Sequence, residues 1–325
     1  MFPDQWPSVK VRFLGRRLAI ALGLLLAFCT YAFLVPLRSV WPTPSASSLP
    51  DTNGAIIFVI TPTYPRPERF ADMTRTTQTL MQVSNLFWIV VEDGEARSPV
   101  VQRMLDRSGI PHVYLNTTSN PALPVHRGWT QRNFALTYLR ENYAEEKRGV
   151  VYFADDDNAY DVRMFNQYIR RVKKIGFWAV GFSGGGKVEA PHVENGTITK
   201  WDTIYEPDRK FATDMAGFAV NIRLILNSNA SFGKQCNKNP EDCFLRQLGV
   251  NVSEAEPFGH DSEPKELLVW HTKSSVGYIR GASYDYAFET RRPPPTKPTT
   301  VKKALNQTTT RFSARPRRRA SRPST

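Results

Sequence analysis

From Ala55 to Thr61 the chain reads AIIFVIT, an unbroken apolar run of strand length, the pattern of a strand buried on both faces. Further on, Phe70, Met73, Leu80 and Met81 fall at near-helical spacing between Pro65 and Leu86, and Pro67 and Glu68 stand where a helix would open. A second strand is predicted at Phe87–Glu92 (FWIVVE), a shorter third at His112–Leu115, and a helix over Gly128–Tyr143. Gly149–Ala154 (GVVYFA) is another buried strand, followed by a helix over Asp161–Lys174 whose acidic start and cationic end suit its dipole. Strands alternating with helices, without an internal repeat, predict an α/β fold around a mostly parallel, doubly wound sheet. Ligands of such sheets bind beyond the carboxyl ends of the strands.

Upstream of this pattern, Leu18–Leu37 is an uncharged apolar run of the length that crosses a hydrocarbon core. Four cations precede it and only Arg38 follows closely, which orients the N-terminus to the cytosol and the body to the lumen. The run is longer than a signal-peptide core and has no small-x-small cleavage site before Pro36. The expected organisation is a cytoplasmic tail (1–17), a transmembrane signal anchor (18–37), a Pro/Ser/Thr-rich stem (38–54), a catalytic domain (55–275) and a basic tail (276–325). Five glycosylation sequons, at Asn116, Asn195, Asn229, Asn251 and Asn306, agree with a lumenal body. Cys236 and Cys243 would share that oxidising space and can close a small loop.

The formal charge of +13 on 325 residues suggests nucleic-acid binding until it is located. Eleven Lys and Arg and no acid lie after Glu289, and five more cations precede Pro42. The middle of the chain is slightly acidic, so no nucleic-acid partner is expected. Rich in Pro, Thr, Lys and Arg, the tail has too little apolar surface to offset the entropy of ordering.

Candidate chemistry centres on Asp155-Asp156-Asp157, directly after GVVYFA. Three carboxylates on one turn repel one another unless a cation sits among them. A hard divalent ion binds through one or two carboxylates together with substrate phosphates. Gly184-Gly185-Gly186 has the look of a phosphate loop, but the motif is weak and reads better as a flexible turn.

The segments TPTYPRPERFADMTRTTQTL, VVEDGE, HRGWTQRNFAL, VYFADDDNAYD, EPDRKFATDMAGFAV and VWHT resemble, in that order, the β1,3-glucuronyltransferase family, over roughly Ala55 to Lys273. The resemblance implies a GT-A type nucleotide-sugar transferase fold, with a Rossmann-like donor half and an acceptor half, in a single-pass type II Golgi membrane protein. Pro62, Thr63 and Tyr64 match the loop that packs on uracil, and Asp93 the residue that hydrogen-bonds uridine. Arg127 and Arg132 match donor-site arginines, whose forks suit a diphosphate and a uronate. Asp157 matches the Mn²⁺ ligand, Asp155 and Asp156 contacts to ribose and donor sugar. His271, Thr272 and Lys273 close the donor site; the family has Arg where this chain has Lys273. Glu241 matches the catalytic base. Glu189, Arg209 and Asp214, with Tyr205 and Glu206 in the same loop, match the acceptor galactose contacts, Tyr205 standing in place of a Trp.

The resemblance thus implies an Mn²⁺-dependent inverting transfer of glucuronate from UDP-glucuronate to the 3-hydroxyl of a terminal galactose, on a glycoprotein or a proteoglycan linkage region. Family members are often homodimers. Two alternatives stay open on the residues: a neutral donor such as UDP-xylose, because the arginines also suit a diphosphate alone, and a catalytically silent glycan-binding protein on the same scaffold.

Overall fold

A computed structural model of the protein describes residues 54–119, 128–233, 238–275 and 284–290. The predicted span 18–37, Arg127, Cys236 and Asn306 lie outside the described residues. Among the described residues no helix is long and apolar enough to cross a membrane.

The first half follows the predicted alternation. Strand β1 (Ile56–Thr63) leads through helix α1 (Arg69–Leu80) to β2 (Leu86–Asp93), then through α2 (Pro99–Ser108) to β3 (His112–Thr117), and through α3 (Trp129–Asn142) to β4 (Gly149–Phe153). These four strands are parallel in the order β3-β2-β1-β4. Their alternate residues feed two cores. Phe58 and Ile60 face α3 through Leu136 and Leu139, while Ile57 and Val59 join Met73 and Leu80 of α1 and Val101 and Leu105 of α2. Each such side chain stabilises the fold by about 1.5–3 kcal/mol on burial, which is why the strand segments read as solid apolar runs. The α2 helix was not expected from the sequence, although Ser98 and Pro99 open it and Gly109, at φ 69, ends it.

The main sheet is mostly parallel, as expected, with one reversed strand: β10 (Phe218–Asn221), followed by the short helix α4 (Ile222–Leu226), inserts antiparallel between β4 and β6 (Ile175–Phe177), and β11 (Glu256–Pro257) completes seven strands. Three features differ from expectation. A second sheet, order β5-β12-β7-β8-β9, forms from Ala159–Tyr160, Val269–Trp270, Val180–Gly181, Val188–Glu194 and Thr197–Asp202. The helix predicted over Asp161–Lys174 is instead a π turn (Met164–Tyr168) running into a 3₁₀ turn (Ile169–Arg171). An α-helix would turn Met164 and Ile169 well apart, whereas i to i+5 bonding brings both into one buried layer. Met81, counted in the apolar stripe of α1, is 54 % exposed at its C-terminus.

The antiparallel insertion has a consequence for function. With Ala219 opposite Tyr152, the segment before β10 reaches the carboxyl end of β4. Asp214 therefore arrives beside the acidic turn from sixty residues away.

Among the described residues the predicted boundary at 275 is crossed through Glu289, which binds the fully buried Arg69 and accepts the Ser98 hydroxyl at 3.4 Å. Of the predicted glycosylation sites, Asn195, Asn229 and Asn251 are exposed. The Asn116 amide donates to the carbonyls of Gly94 and Glu95.

Candidate active site

The carboxyl ends of β1, β2 and β4 lie along one edge, where Thr63 and Glu92 are opposed and Ile60 faces Phe153. The acidic turn leaves β4 here, with every carbonyl held. Tyr160 donates to Asp155 O at 2.7 Å, Thr76 to Asp156 O at 3.1 Å, and Arg75 to Asp157 O at 2.6 Å, joined there by the Thr272 hydroxyl. A backbone so tethered fixes where the three carboxylates point.

Their fates differ. Asp155 is paired with Arg132. Asp156 is buried and accepts Thr63 Oγ1 at 2.7 Å and both Arg66 terminal nitrogens at 2.8 Å. The Thr63 and Asp156 side chains thus serve each other and Arg66, and the expected donor contact at Asp156 is not exposed. Asp157 accepts no hydrogen bond on its carboxylate among the described residues, and burial with the charges of Asp155 and Asp156 pushes it up to about 6. One under-compensated carboxylate on a fixed turn fits a hard cation that completes its shell with phosphate oxygens. Among the described residues no three His, Cys, Asp or Glu side chains form a metal set by themselves.

Next to the turn opens a cleft of about 670 Å³. Arg132, Asp155 and His271, expected at the donor, line it together with Glu189, Tyr205, Arg209 and Asp214, expected at the acceptor, and with Glu241. The start of α3 sits close to β1: a Cβ on Gly128 (φ 73) would lie 3.0 Å from both Pro62 and Arg132. Only glycine allows the helix to present Arg132 to Asp155 in this way.

Glu241 is in the first turn of α5 (Pro240–Arg246), entered through Asn239 at φ 51 with Pro240 at the first position. The next residue, Asp242, accepts Phe211 N at 2.8 Å and so anchors the helix to the loop that contains Arg209. Cys243 is disulfide-bonded, and both other cysteines fall outside the described residues. Burial, and after it the charge of Asp214, raises the Glu241 carboxyl to about 7.

In that loop Arg209 donates to Glu189 at 3.2 Å and to the Tyr205 carbonyl at 3.0 Å, its guanidinium 5.0 Å over the Tyr205 ring. Glu206 lies off the cleft lining and takes the Asn239 amide. His271 and Asp214, assigned by the sequence to opposite halves of the site, are partners at 2.9 Å. That bond raises the imidazole to about 9, so it is cationic at neutral pH.

Tyr64, 44 % exposed with the Arg66 guanidinium 4.9 Å from its ring, and Asp93, which accepts Ser119 N at 3.0 Å, lie on the strand edge outside the cleft lining. Lys273 is exposed. Sequence reasoning missed Arg66 and Arg75, which hold the acidic turn, and Trp129, Ser183, Lys238 and Asn239, which line the cleft. The arginines carried a usable signal. Three adjacent acids require nearby cations, and Arg66, Arg69 and Arg75 cluster just after β1.

Comparison with known proteins settles the class: the protein is a glycosyltransferase. It belongs to glycosyltransferase family 43, whose profile matches residues 76–275. Among its relatives are galactosylgalactosylxylosylprotein 3-beta-glucuronosyltransferase 2 of Canis lupus familiaris, 40 % identical over 241 residues (71 % of each chain), and its Homo sapiens counterpart, 41 % identical over 228 residues (67 % of this chain, 69 % of the other). Galactosylgalactosylxylosylprotein 3-beta-glucuronosyltransferase sqv-8 of Caenorhabditis elegans is 40 % identical over 253 residues (74 % and 70 %).

Proposed function

We propose that this enzyme has a GT-A type fold and transfers glucuronate from UDP-glucuronate to the 3-hydroxyl of a terminal galactose, with inversion, on a glycoprotein or a Gal-Gal-Xyl linkage region. The observation that supports this most is the setting of Glu241. Its carboxyl shares one cleft with the acceptor-side group Glu189, Arg209 and Asp214 and the donor-side group Arg132, Asp155 and His271, and at about 7 it is half ionised near neutral pH. A base with that affinity removes a hydroxyl proton in the transition state efficiently.

In the reaction Glu241 takes the proton of the galactose 3-hydroxyl while that oxygen bonds to the anomeric carbon. The bond from that carbon to UDP breaks on the opposite face, its electron pair leaves with UDP, and an α-linked donor gives a β-linked product. Arg132 and cationic His271 steady the departing diphosphate, and the open ring of Tyr64 offers a face to uracil. Asp157 would hold Mn²⁺, which supplies charge neutralisation to the diphosphate when bound. The enzyme works in the Golgi lumen, anchored by Leu18–Leu37, as a monomer or homodimer.

The test is UDP release by the purified protein, with UDP-glucuronate and UDP-xylose as donors and Gal-β1,3-Gal and Gal-β1,4-GlcNAc as acceptors. Release is expected with UDP-glucuronate, is lost on chelation, and falls about 10²–10⁴-fold in Glu241→Gln. Turnover that survives both chelator and Glu241→Gln would end the proposal.

A further inference from the structure

The residue that joins the two sides of the cleft is Ser183, which neither the motifs nor the proposed chemistry uses. It is buried, and its hydroxyl oxygen lies 2.7 Å from Glu189 Oε2 and 2.9 Å from Asp214 Oδ2. At the far side of Glu189, Oε1 accepts Arg209 at 3.2 Å, and the Thr203 hydroxyl also bonds this carboxyl. On Asp214 the same Oδ2 also meets His271 Nδ1 at 2.9 Å, while Oδ1 accepts Ala216 N at 2.9 Å. The row Arg209, Glu189, Ser183, Asp214, His271 therefore runs unbroken from the acceptor loop to the residue that closes the donor side.

The turn after Ser183 is built for this row. Gly184 has φ 61, and a Cβ there would lie 2.6 Å from Thr203 Oγ1 and 3.4 Å from the Glu189 carboxyl carbon. The triple glycine lets the chain pass close to Glu189, a packing role rather than a phosphate-binding one.

Proton arithmetic orients the row. A serine hydroxyl has one hydrogen to donate, yet two carboxyl oxygens sit at hydrogen-bond distance. Two ionised carboxylates would leave one of them against a bare lone pair, which is unfavourable in a buried site. One carboxyl must carry the second hydrogen. Asp214, although burial opposes its charge, is held below its ordinary value by His271. Glu189 is pushed up by burial; the hydroxyls of Ser183 and Thr203 and the charge of Arg209 oppose the rise, and Asp214 adds to it. Glu241 also faces Asp214, which adds to the negative charge that a neutral Glu189 relieves.

We propose that Ser183 is a positioning residue that accepts a hydrogen bond from protonated Glu189 and donates one to ionised Asp214, locking the two acceptor-reading acids side by side and aligning them with His271. This rests on the proposed function for the identity of the acceptor but not for the geometry. The row lets an acceptor sugar meet a neutral carboxyl and a charged one in fixed order, a directional pattern that two free carboxylates cannot hold.

The test uses the full chain. Ser183→Val removes the hydroxyl at similar bulk and is expected to raise the acceptor KM about tenfold, with UDP affinity within twofold of wild type, while Ser183→Thr returns KM to within about threefold. Infrared difference spectra of the wild type at neutral pH should contain a protonated-carboxyl stretch that disappears in Glu189→Gln. An unchanged acceptor KM in Ser183→Val, or no acid band sensitive to Glu189→Gln, overturns the inference. Wild type that glycosylates no galactoside counts against the proposed function alone, and the infrared result then decides Ser183.

Discussion

Arg69→Met removes a guanidinium that no water reaches. Arg69 is fully buried and donates from Nη1 to both Glu92 oxygens, at 2.6 and 2.7 Å, and from Nε to Glu289 at 2.6 Å. Methionine fills much of the volume but leaves Glu92, only 2 % exposed, with the Tyr114 hydroxyl as its remaining partner. Breaking a buried pair from one side costs about 3–5 kcal/mol, because the other charge stays in place uncompensated. At about 2–4 °C per kcal/mol for a domain of this size, melting should fall by roughly 6–20 °C at pH 8. The pH dependence has a definite sign. Glu92 is already raised by burial, and losing its cation raises it further in the folded state alone. A raised acid binds its proton more tightly when folded than when unfolded, so the variant regains stability as pH falls through that value. The gap to wild type should therefore narrow on acidification, followed by calorimetry between about pH 8 and pH 5. Arg69→Met combined with Glu92→Leu should recover most of the loss, since an apolar replacement of both partners is close to neutral. Melting unchanged at pH 8, or a gap that widens in acid, would refute the reasoning.

Three further outcomes follow from the site. The rate should rise with pH through about 7 as Glu241 ionises, losing close to tenfold per unit well below that point; a flat wild-type profile from pH 5 to 8 would remove Glu241 as the base. Asp157→Ala should abolish metal-dependent UDP binding in calorimetry while leaving the melting temperature near wild type, because the turn's backbone is held by Arg75, Thr272, Thr76 and Tyr160; metal-dependent binding that persists would place the ion elsewhere. Cys243→Ser should lower stability by roughly 2–4 kcal/mol and depress turnover too, since Cys243 lies two residues beyond Glu241 on α5; full activity with normal melting would show that the disulfide has no part in seating that helix.

Much of the first half of the fold was legible in the sequence. Strands buried on both faces are continuous apolar runs, so Ile56–Thr63, Leu86–Asp93 and Gly149–Phe153 stood out within a residue or two. The acidic turn followed directly, because repelling carboxylates after a buried strand need a cation. The second sheet was not legible. Its strands Ala159–Tyr160, Val180–Gly181 and Val269–Trp270 have two residues each, too few for any periodicity. The glutamate in the first turn of α5 had no local mark either: an acid there is equally a favourable helix-start charge.

By itself the sequence determined the apolar strands, the helices that cover them and the clustered acids, because these depend on neighbours a few residues away. Only the tertiary structure decided which acid is free and which is bound. Asp156 is neutralised by Arg66, ninety residues distant, and Asp214 meets His271 because β10 runs antiparallel into the sheet. Charge state depends on separations of a few ångströms and on exclusion of water, and neither is written in the order of residues.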